Sequence, residues 1–471
     1  MIVPAAVAAA DVATAAVGAD VLDAGGNAAD AAVAAALAAC AAETIYTGLA
    51  GGGFAVHWDA KHEAASVVDF FVTVPGRGLT RPVAPMEAIS VSFGAAPLEY
   101  HVGAATVAVP GNPLGLYETH RHFGRLDWAA VVNPAHRLAS GGVSLSAQKA
   151  VGLAVMAEAM CHGADGRAAY APRGRLLGAG ERLWHPGLEN AFAVLRDAGP
   201  DAFYTGEVAH AMVDLVAAGG GALTIDDLAA YRAVVAPARS VGFAGHTVHG
   251  RTDLLDLPGT LAALPPDLGD RAPAERVRDW VRALLGRHGP AEGTGTSNVC
   301  AVDDEGNACV ITTSLGLGSG DWVPGYGLHL NSMIGEGELM VTGAGVGSRV
   351  PSMMSPVVAT DARGLSAAAG AAGGSRIRSA MVQVLTGVLA EGLDPAHAVQ
   401  RPRVHPVPST DEVIAHVEPG LAGEVHAVLR ADGLSVREWP ETSAYFGGVS
   451  VVARDGAAAD PRRDGAVARP A

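Results

Sequence analysis

The feature that most constrains this sequence is a pair of apolar runs joined by a short polar turn. The first run follows Gly295 and Thr296, and the second extends from Ala308 to Thr313. The connecting residues, 303–307, are acidic and end in Gly-Asn. Two β-favouring runs around such a turn predict an antiparallel β-hairpin, and Thr296 stands at its open end.

Thr296 is a candidate nucleophile, because a chain cut before it would give this residue an α-amine of its own. A hydroxyl is a poor nucleophile at neutral pH unless a base lies beside it. An α-amine, with a reference pKa of about 7.7 to 8.0, suits that role. Gly295 suits the cut, since glycine tolerates a strained backbone. Taken alone, however, a Gly-Thr pair before a strand is more typical of an ordinary hairpin.

The composition excludes several classes of protein. With 49% hydrophobic and 17% charged residues among 471, the chain is expected to be globular rather than disordered. A formal net charge of −16 without a basic cluster argues against nucleic-acid binding. No uncharged stretch reaches membrane-spanning length, and no basic segment precedes the apolar N-terminal residues as in a signal peptide. We therefore expect no membrane association and a cytoplasmic location.

No motif for a metal or an organic cofactor is present. The sequence has neither an HExxH nor an EF-hand pattern, and its Gly-rich stretch at 48–53 lacks the spacing of a nucleotide-binding loop. Four cysteines without CxxC spacing are expected to be reduced thiols. We expect a small-molecule substrate and no cofactor, and the sequence does not decide between a monomer and a homodimer.

Helix signals occur at several points of the chain. Residues 4–23 show helical spacing, and Asn27 to Asp30 resemble a capping box that opens an alanine-rich helix to about Cys40. Residues 251–293, rich in Pro, Gly, Asp and Arg, are the most linker-like part of the chain. A Gly-rich turn at 370–376 precedes a further predicted helix. Glycines at such a helix entrance offer free backbone N–H groups, as an oxyanion site requires.

Taken together, these stretches resemble the γ-glutamyltransferase family of self-processing N-terminal-nucleophile hydrolases. The resemblance covers most of the chain, in order. It runs through residues 25–32, Gly48 to Phe54, Val109-Pro110-Gly111, Gly199 to Tyr204, Leu223 to Tyr231, Thr296 to Asn307, Gly373 to Arg376 and Asp460 to Gly465.

The resemblance implies a fold and a division of the chain. The fold is of the α+β class, a four-layer αββα sandwich. It is one intertwined domain built from two fragments of one precursor, residues 1–295 and 296–471. Thr294 is a rival first residue of the second fragment, but the distance back from Val302 and Asp303 favours Thr296.

The resemblance also implies roles for individual residues. Thr296 would be both nucleophile and base, and Gly373 and Gly374 would be the oxyanion donors. Ser314 matches a threonine that hydrogen-bonds the nucleophile during processing. Because serine keeps the hydroxyl, that role is expected to survive.

Departures from the family bear on the substrate. Phe71 takes the place of an arginine that holds the glutamyl carboxylate of glutathione, and a phenyl ring cannot make that bidentate pair. Ser352 remains of the usual serine pair. The other altered positions are Gly316 for asparagine, Met333 for glutamine or glutamate, Glu336 for aspartate and Met353 for the second serine.

Three hypotheses for the function follow. The first is a self-activating hydrolase or acyltransferase that cleaves an amide through an acyl-enzyme on Thr296, with a substrate more apolar than a γ-glutamyl group. The second is a carbon-carbon bond hydrolase of a secondary-metabolite pathway that uses the same threonine. The third is an unprocessed, non-catalytic relative that binds a small molecule.

Overall fold

The computed structural model of the chain describes residues 3–94, 97–252, 256–286, 295–336, 339, 344–409 and 412–471. The strands before residue 295 are β1 (Ala6–Ala9), β2 (Gly52–Asp59), β3 (Ala64–Phe70), β4 (Glu87–Val91), β5 (Leu98–Val102), β6 (Val143–Ser144), β7 (Arg182–Leu183), β8 (Val234–Pro237), β9 (Arg239–Phe243) and β10 (His246–Gly250). The later strands are β11 (Ser297–Val302), β12 (Ala308–Ser314), β13 (Trp322–Val323), β14 (Leu328–His329), β15 (Val357–Asp361), β16 (Gly364–Ala372), β17 (Val404–Pro408), β18 (Val413–Val417), β19 (Ser435–Glu438), β20 (Gly448–Ala453), β21 (Gly456–Ala459) and β22 (Ala466–Ala468).

The helices alternate with these strands along the chain. They are α1 (Val12–Asp23), α2 (Ala28–Ala42), α3 (Asn112–Phe123), α4 (Trp128–Gly141), α5 (Ala147–Val155), α6 (Ala157–Met160), α7 (Ala164–Tyr170), α8 (Leu188–Ala198), α9 (Glu207–Ala218), α10 (Ile225–Ala230), α11 (Leu257–Ala262), α12 (Pro273–Leu285), α13 (Arg376–Leu389), α14 (Pro395–Gln400) and α15 (Gly423–Ala431). No helix among the described ranges is both long and apolar enough to cross a bilayer.

Two large sheets pack face to face and form the centre of the molecule. The first has the strand order β22-β1-β11-β12-β2-β3-β8, and the second has the order β21-β20-β16-β15-β10-β9. Strands β11 and β12 contact β16 across the interface between the sheets. Helices α1, α2 and α3 cover the outer face of the first sheet, and α11, α13 and α14 cover the second. The predicted αββα sandwich is therefore confirmed.

Both sheets contain strands from the parts of the chain before and after residue 295, and in the first sheet the two parts interleave. In the first sheet β11 and β12 lie between β1 and β2, and in the second β15 lies between β16 and β10. In the first sheet β1 is paired on both sides with strands of the later part, β11 and β22, and the two parts also pair at β12–β2 and β15–β10. We expect the two parts to remain joined without the covalent link between them, because separating them would expose both sheets.

The predicted alanine-rich helix is confirmed as α2. The Asn27 side chain accepts hydrogen bonds from the N–H groups of Ala29 and Asp30, both at 3.0 Å. The Asp30 carboxylate returns a bond by accepting the Asn27 N–H at 3.0 Å. All fifteen residues of the helix are buried. Alanine on every face lets α2 approach its neighbours closely on all sides.

The prediction of one helix over residues 4–23 was wrong in its first part. Ala6–Ala9 form β1, which pairs with β11 on one side and β22 on the other. Asp11 then starts α1 by accepting hydrogen bonds from the N–H groups of Ala13, at 2.7 Å, and Thr14, at 3.2 Å. The four residues of β1 are buried between helix α1 and the second sheet, and tertiary pairing here overrides the helix propensity of alanine.

The prediction of a linker over residues 251–293 was also wrong where the structure describes it. This stretch contains α11 and α12, and the apolar face of α12 is buried. Residues 253–255 and 287–294 lie outside the described part of the chain. Most of the Pro, Arg and Asp residues that suggested a linker are partly or fully exposed, either on the polar face of α12 or in the turns before it. The buried face is formed by Val277, Trp280, Val281 and Leu284.

A buried ionic network holds the end of the second sheet in place. The Arg403 guanidinium donates to the Asp460 carboxylate and, at 3.0 Å, to the carbonyl of Gly447. Arg462 donates to both Asp460 and Glu418. Removing one partner of such a network leaves an uncompensated charge in the interior. The network therefore fixes the backbone at Gly447, which precedes β20.

We expect Asp460→Asn to destabilise the fold strongly. The variant leaves the Arg403 guanidinium without its anionic partner, and the free energy of unfolding should fall by about 3 to 5 kcal/mol. Urea denaturation followed by circular dichroism measures the change. Glu181→Gln is the control, because Glu181 pairs with Arg175 in an exposed position and should change the stability by less than about 1 kcal/mol. Equal effects of the two variants would contradict the assignment of this network as a structural anchor.

Candidate active site

The predicted hairpin is present and determines what faces Thr296. Strands β11 and β12 pair antiparallel, with Ser297 opposite Thr313. One step further along the same register, Thr296 lies opposite Ser314. Both residues are buried, with 4% and 6% of their surface exposed. The hairpin thus brings two hydroxyl groups to the same end of the first sheet.

A cavity of about 280 Å³, including the part open to solvent, lies at this end of the sheet. The lining brings together most of the residues predicted from the sequence. Its residues are Phe71, Gly295, Thr296, Ser314, Met333, Glu336, Leu339, Ser352, Met353, Met354, Gly374 and Ile377.

Ser314 contacts the peptide group that precedes Thr296. Its hydroxyl donates a short hydrogen bond to the carbonyl oxygen of Gly295. The Ser314 oxygen in turn accepts the N–H of Gly316 at 3.0 Å. A hydrogen bond to a carbonyl oxygen stabilises the negative charge that develops there when a nucleophile attacks the carbon. Ser314 is therefore placed to polarise the Gly295 carbonyl.

Gly295 is required by the space around it. A Cβ atom at this position would overlap the carbonyl oxygen of Gly316 and would lie 3.6 Å from that of Tyr46. The backbone on both sides cannot move as a flexible side chain could. Only glycine therefore fits before Thr296. The rival start at Thr294 lies outside the described residues.

Gly373 and Gly374 form the turn between β16 and α13, with φ angles of +133° and +60°. Neither N–H group donates a hydrogen bond to another residue that the structure describes. Gly374 lines the cavity and opens a helix of 14 residues, whose N-terminus carries partial positive charge. Gly373 does not line the cavity, and a Cβ there would lie 2.8 Å from the Cα of Gly447. Of the two predicted oxyanion donors, only Gly374 therefore lines the same cavity as Thr296.

An apolar wall makes up much of the cavity lining. The Phe71 ring is 1% exposed and stacks on Phe54, with 5.5 Å between the ring centroids. Three methionines and two aliphatic residues extend this surface. They are Met333, Met353, Met354, Leu339 and Ile377.

Glu336 is the one carboxylate in the described lining of the cavity. It is 4% exposed, and its Oε1 lies 2.5 Å from the position that a Cβ at Gly316 would take. The glycine at 316 therefore leaves room that the longer Glu336 side chain occupies. Gly316 itself does not line the cavity, and among the described residues it contributes through its N–H bond to Ser314.

A buried polar network lies beside the start of β11, next to Thr296, and was not predicted from the sequence. The Ser297 hydroxyl donates to Glu43 at 3.0 Å, and the Thr14 hydroxyl donates to the same carboxylate at 2.8 Å. Burial raises the pKa of Glu43, nearby Lys149 opposes that shift and Asp11 adds to it. Lys149 itself forms a buried ion pair with Asp11. The residue after Thr296 is thus held by a carboxylate that is itself fixed in place.

The sequence contains one signal that could have revealed this network. Lysine occurs only twice in the chain, at Lys61 and Lys149. In a composition that favours arginine, a lysine retained in a helix marks a site with a specific need for a compact ammonium group. Lys149 meets that need, since its Nζ also donates to the Ala42 carbonyl at 3.2 Å.

Comparison with known proteins places this geometry in a family. A family model described as gamma-glutamyltranspeptidase matches residues 14–253 and 271–469. The glutathione hydrolase proenzyme of Pseudomonas aeruginosa is 28% identical, with 98% of this chain and 93% of the relative covered. The acylase ACY 1 proenzyme of Pseudomonas sp. (strain SE83) is 26% identical, over 93% of this chain and 88% of the relative.

Solved structures show the same fold over the full length. Cephalosporin acylase from Bacillus halodurans superposes with a TM-score of 0.83 at 22% identity, covering 99% of this chain and 96% of the other. A structure described as LmbA2991T421A gives a TM-score of 0.81 at 22% identity, covering 99% and 100%. The family model spans both sides of Thr296 and includes the hairpin, the Gly373-Gly374 turn and the buried ionic network. The chain therefore belongs to the γ-glutamyltranspeptidase family of N-terminal-nucleophile hydrolases.

Proposed function

We propose that this protein is a self-processing amide hydrolase or acyltransferase whose nucleophile is Thr296 and whose acyl group is apolar. The observation that carries the proposal is the hydrogen bond from Ser314 to the Gly295 carbonyl, with Thr296 and Gly374 in the same small cavity. The cavity thus contains a candidate nucleophile, a carbonyl group that accepts a hydrogen bond, and a candidate backbone donor. The names of the relatives, which include glutathione hydrolase and acylase proenzymes, support both processing and amide cleavage.

The first reaction in this proposal is cleavage of the chain itself. The Thr296 hydroxyl adds to the Gly295 carbonyl carbon, and Ser314 stabilises the resulting oxyanion. The C–N bond then breaks, its nitrogen takes a proton, and an ester joins Gly295 to the Thr296 oxygen. Water hydrolyses this ester to the Gly295 carboxylate and the free hydroxyl. The products are fragments 1–295 and 296–471, and Thr296 gains a free α-amine.

The second reaction is cleavage of a substrate amide. The new α-amine takes the proton of the Thr296 hydroxyl as its oxygen attacks the substrate carbonyl, and gives a proton to the leaving amine. The N–H groups of Gly373 and Gly374, at the N-terminus of α13, would stabilise the oxyanion. Water or a second amine then releases the acyl group from Thr296. Hydrolysis and transfer differ only in this last acceptor.

The residues around the nucleophile support an apolar acyl group rather than a γ-glutamyl group. Phe71 stands where a carboxylate would need a cation, and burying a carboxylate without a cationic partner is costly. The methionine wall is adaptable and apolar. We therefore infer that glutathione is a poor substrate of this protein. The carbon-carbon and non-catalytic alternatives draw no specific support from this geometry.

We expect purified wild-type protein to consist of two fragments, and Thr296→Ala to stay a single chain. The alanine removes the attacking hydroxyl without adding bulk. Intact-mass spectrometry measures the cut and its position at once. A wild-type chain that stays uncut in its folded state, or a cut at the same position in the alanine variant, would contradict Thr296 as the nucleophile.

Ser314→Ala should slow processing by about a hundredfold or more, because loss of one oxyanion donor costs about 10²- to 10³-fold in comparable sites. Ser314→Thr keeps the hydroxyl and should process at a rate close to that of wild type. A time course on a denaturing gel after refolding measures both rates. Equal rates for the alanine and threonine variants would remove Ser314 from the proposed reaction.

The processed enzyme should prefer hexanoyl p-nitroanilide to γ-glutamyl p-nitroanilide by at least about tenfold in kcat/KM. The physical reason is that the apolar wall binds methylene groups but leaves a buried carboxylate unpaired. Release of p-nitroaniline, followed by absorbance, measures both substrates under the same conditions. A preference for the γ-glutamyl compound would contradict the inference from Phe71.

A further inference from the structure

We propose that Asn298 is a positioning residue whose side chain, resting on Gly370 of the opposite sheet, sets the separation between Thr296 and Gly374. This inference rests on the proposed function and deepens it, because substrate cleavage needs the nucleophile and the backbone donor at a fixed distance. Asn298 lies in β11, two residues after Thr296, and Gly370 lies in β16, four residues before Gly374. Their contact thus joins the strand that follows the nucleophile to the strand that leads to the donor.

The amide group of Asn298 occupies the space that a side chain at position 370 would need. A Cβ atom on Gly370 would lie 2.0 Å from Oδ1, 2.7 Å from Cγ and 2.9 Å from Nδ2 of Asn298. Because all three atoms are this close, rotation of the terminal amide does not clear the space. The approach of β11 to β16 at this point is therefore limited by the contact between the Asn298 amide and the bare backbone of Gly370.

Hydrogen bonds hold the Asn298 amide in this place. Its Oδ1 accepts the hydroxyl of Thr312, on the neighbouring strand β12, at 2.7 Å. Its Nδ2 donates to the sulfur of Cys300 at 3.5 Å, and the Cys300 thiol donates to the carbonyl of Ser450 at 3.1 Å. Ser450 is paired with Gly370 in the second sheet. The hydrogen-bonded chain therefore begins in the first sheet and ends beside the glycine on which Asn298 rests.

The interface that continues from this contact is apolar. Asn298 and Thr312 are 1% and 0% exposed, and Cys300 packs in a cluster with Ala368 and Val452 of the second sheet. Apolar contact has little directional preference, whereas a buried hydrogen-bonded amide favours one alignment. A single buried asparagine selects the register of coiled coils in this way. Asn298 is thus suited to fix the alignment of the two sheets near the reaction site.

The two proposed reactions depend on this alignment to different degrees. Self-cleavage uses Thr296 and Ser314, which lie at the open end of one hairpin in the first sheet. Substrate cleavage uses Thr296 together with Gly374, which follows a strand of the second sheet. A change in the separation of the sheets should therefore slow substrate cleavage and leave self-cleavage nearly unchanged. A general loss of structure would slow both reactions.

We compare Gly370→Ala, Asn298→Ala and the double variant. The alanine at 370 forces either the two strands apart or the Asn298 side chain away from its hydrogen bonds. In the double variant, the methyl group at 370 enters space that the asparagine has left. Gly242→Ala is the matched control, because Gly242 lies in β9 of the second sheet and a Cβ there would meet no atom of the described residues within 4 Å.

The probes are hexanoyl and γ-glutamyl p-nitroanilide, and kcat is expressed per molecule of processed enzyme, counted by intact-mass spectrometry. Gly370→Ala should lower kcat for the better probe by at least about tenfold with little change in KM, because a misplaced oxyanion donor weakens transition-state binding. Asn298→Ala should also lower kcat, and the double variant should exceed Gly370→Ala by at least about threefold. Self-cleavage should stay near the wild-type rate, and Gly242→Ala should match wild type in both reactions.

Three results would overturn the inference. They are an unchanged kcat in Gly370→Ala or Asn298→Ala, an equal loss of self-cleavage and substrate cleavage, and a double variant no faster than Gly370→Ala. If Gly370→Ala does not fold, Asn298→Ala and the double variant carry the test. The double variant must then fold and exceed Asn298→Ala in kcat, and failure of either condition overturns the inference.

A structural measurement separates this inference from the proposed function. Crystal structures of wild type and of the variants give the distance between the Cα atoms of Thr296 and Gly374. This distance should change by at least about 0.5 Å in the single variants and return toward the wild-type value in the double variant. If the distances behave in this way but wild type cleaves neither anilide, the proposed reaction fails while the positioning role stands. An equal distance in all of these proteins overturns the positioning role, whatever their activity.

Discussion

The register of the central hairpin is the constraint on which the rest of the site depends. Side chains alternate between the two faces of a strand, so a slip of one residue would turn the whole set over. In the observed register Ser297 pairs with Thr313, and Ser314 reaches the Gly295 carbonyl. The strands on either side, β1 and β2, extend the same ladder and prevent such a slip. The position of Thr296 is thus set by backbone pairing along the first sheet.

Close backbone approach is the second condition for this site. Gly295 lies against the carbonyl of Gly316, and Gly373 lies against Gly447. Each contact brings two chain segments nearer than any side chain would allow. The buried Arg403 and Asp460 pair then holds Gly447 from the far side. A network outside the cavity thus supports the turn formed by Gly373 and Gly374.

The cavity beside Thr296 combines polar and apolar side chains. Ser297, the residue after Thr296, is held by its carboxylate partner Glu43. Phe71 lines the same cavity and stacks on Phe54, whose ring Arg251 covers. The position of Thr296 depends on strand pairing in the first sheet, whereas the apolar lining depends on side chains from both sheets.

Much of the candidate site could be predicted from local sequence. The hairpin, the capping box of α2 and the Gly-rich entry to α13 are signals carried by short stretches, and all three are present. Resemblance to a family then grouped Thr296, Ser314 and Phe71 into one site from their positions in the chain alone. The roles of these residues in the reaction stay predictions, because geometry alone does not measure a rate.

Other features depended on contacts between distant parts of the chain. The sequence by itself determined the hairpin, the helix caps and the glycine turns, because these depend on the residues within a few positions. Only the tertiary structure decided that Ala6–Ala9 form a strand inside the first sheet, that α12 packs into the core and that Arg251 contacts both the Phe54 ring and the Met354 carbonyl. Alanine accepts either helix or strand, and an arginine gives no local sign of the ring or carbonyl it will meet. For those residues, the segments they contact in the folded protein decide the local structure, rather than their intrinsic secondary-structure propensity.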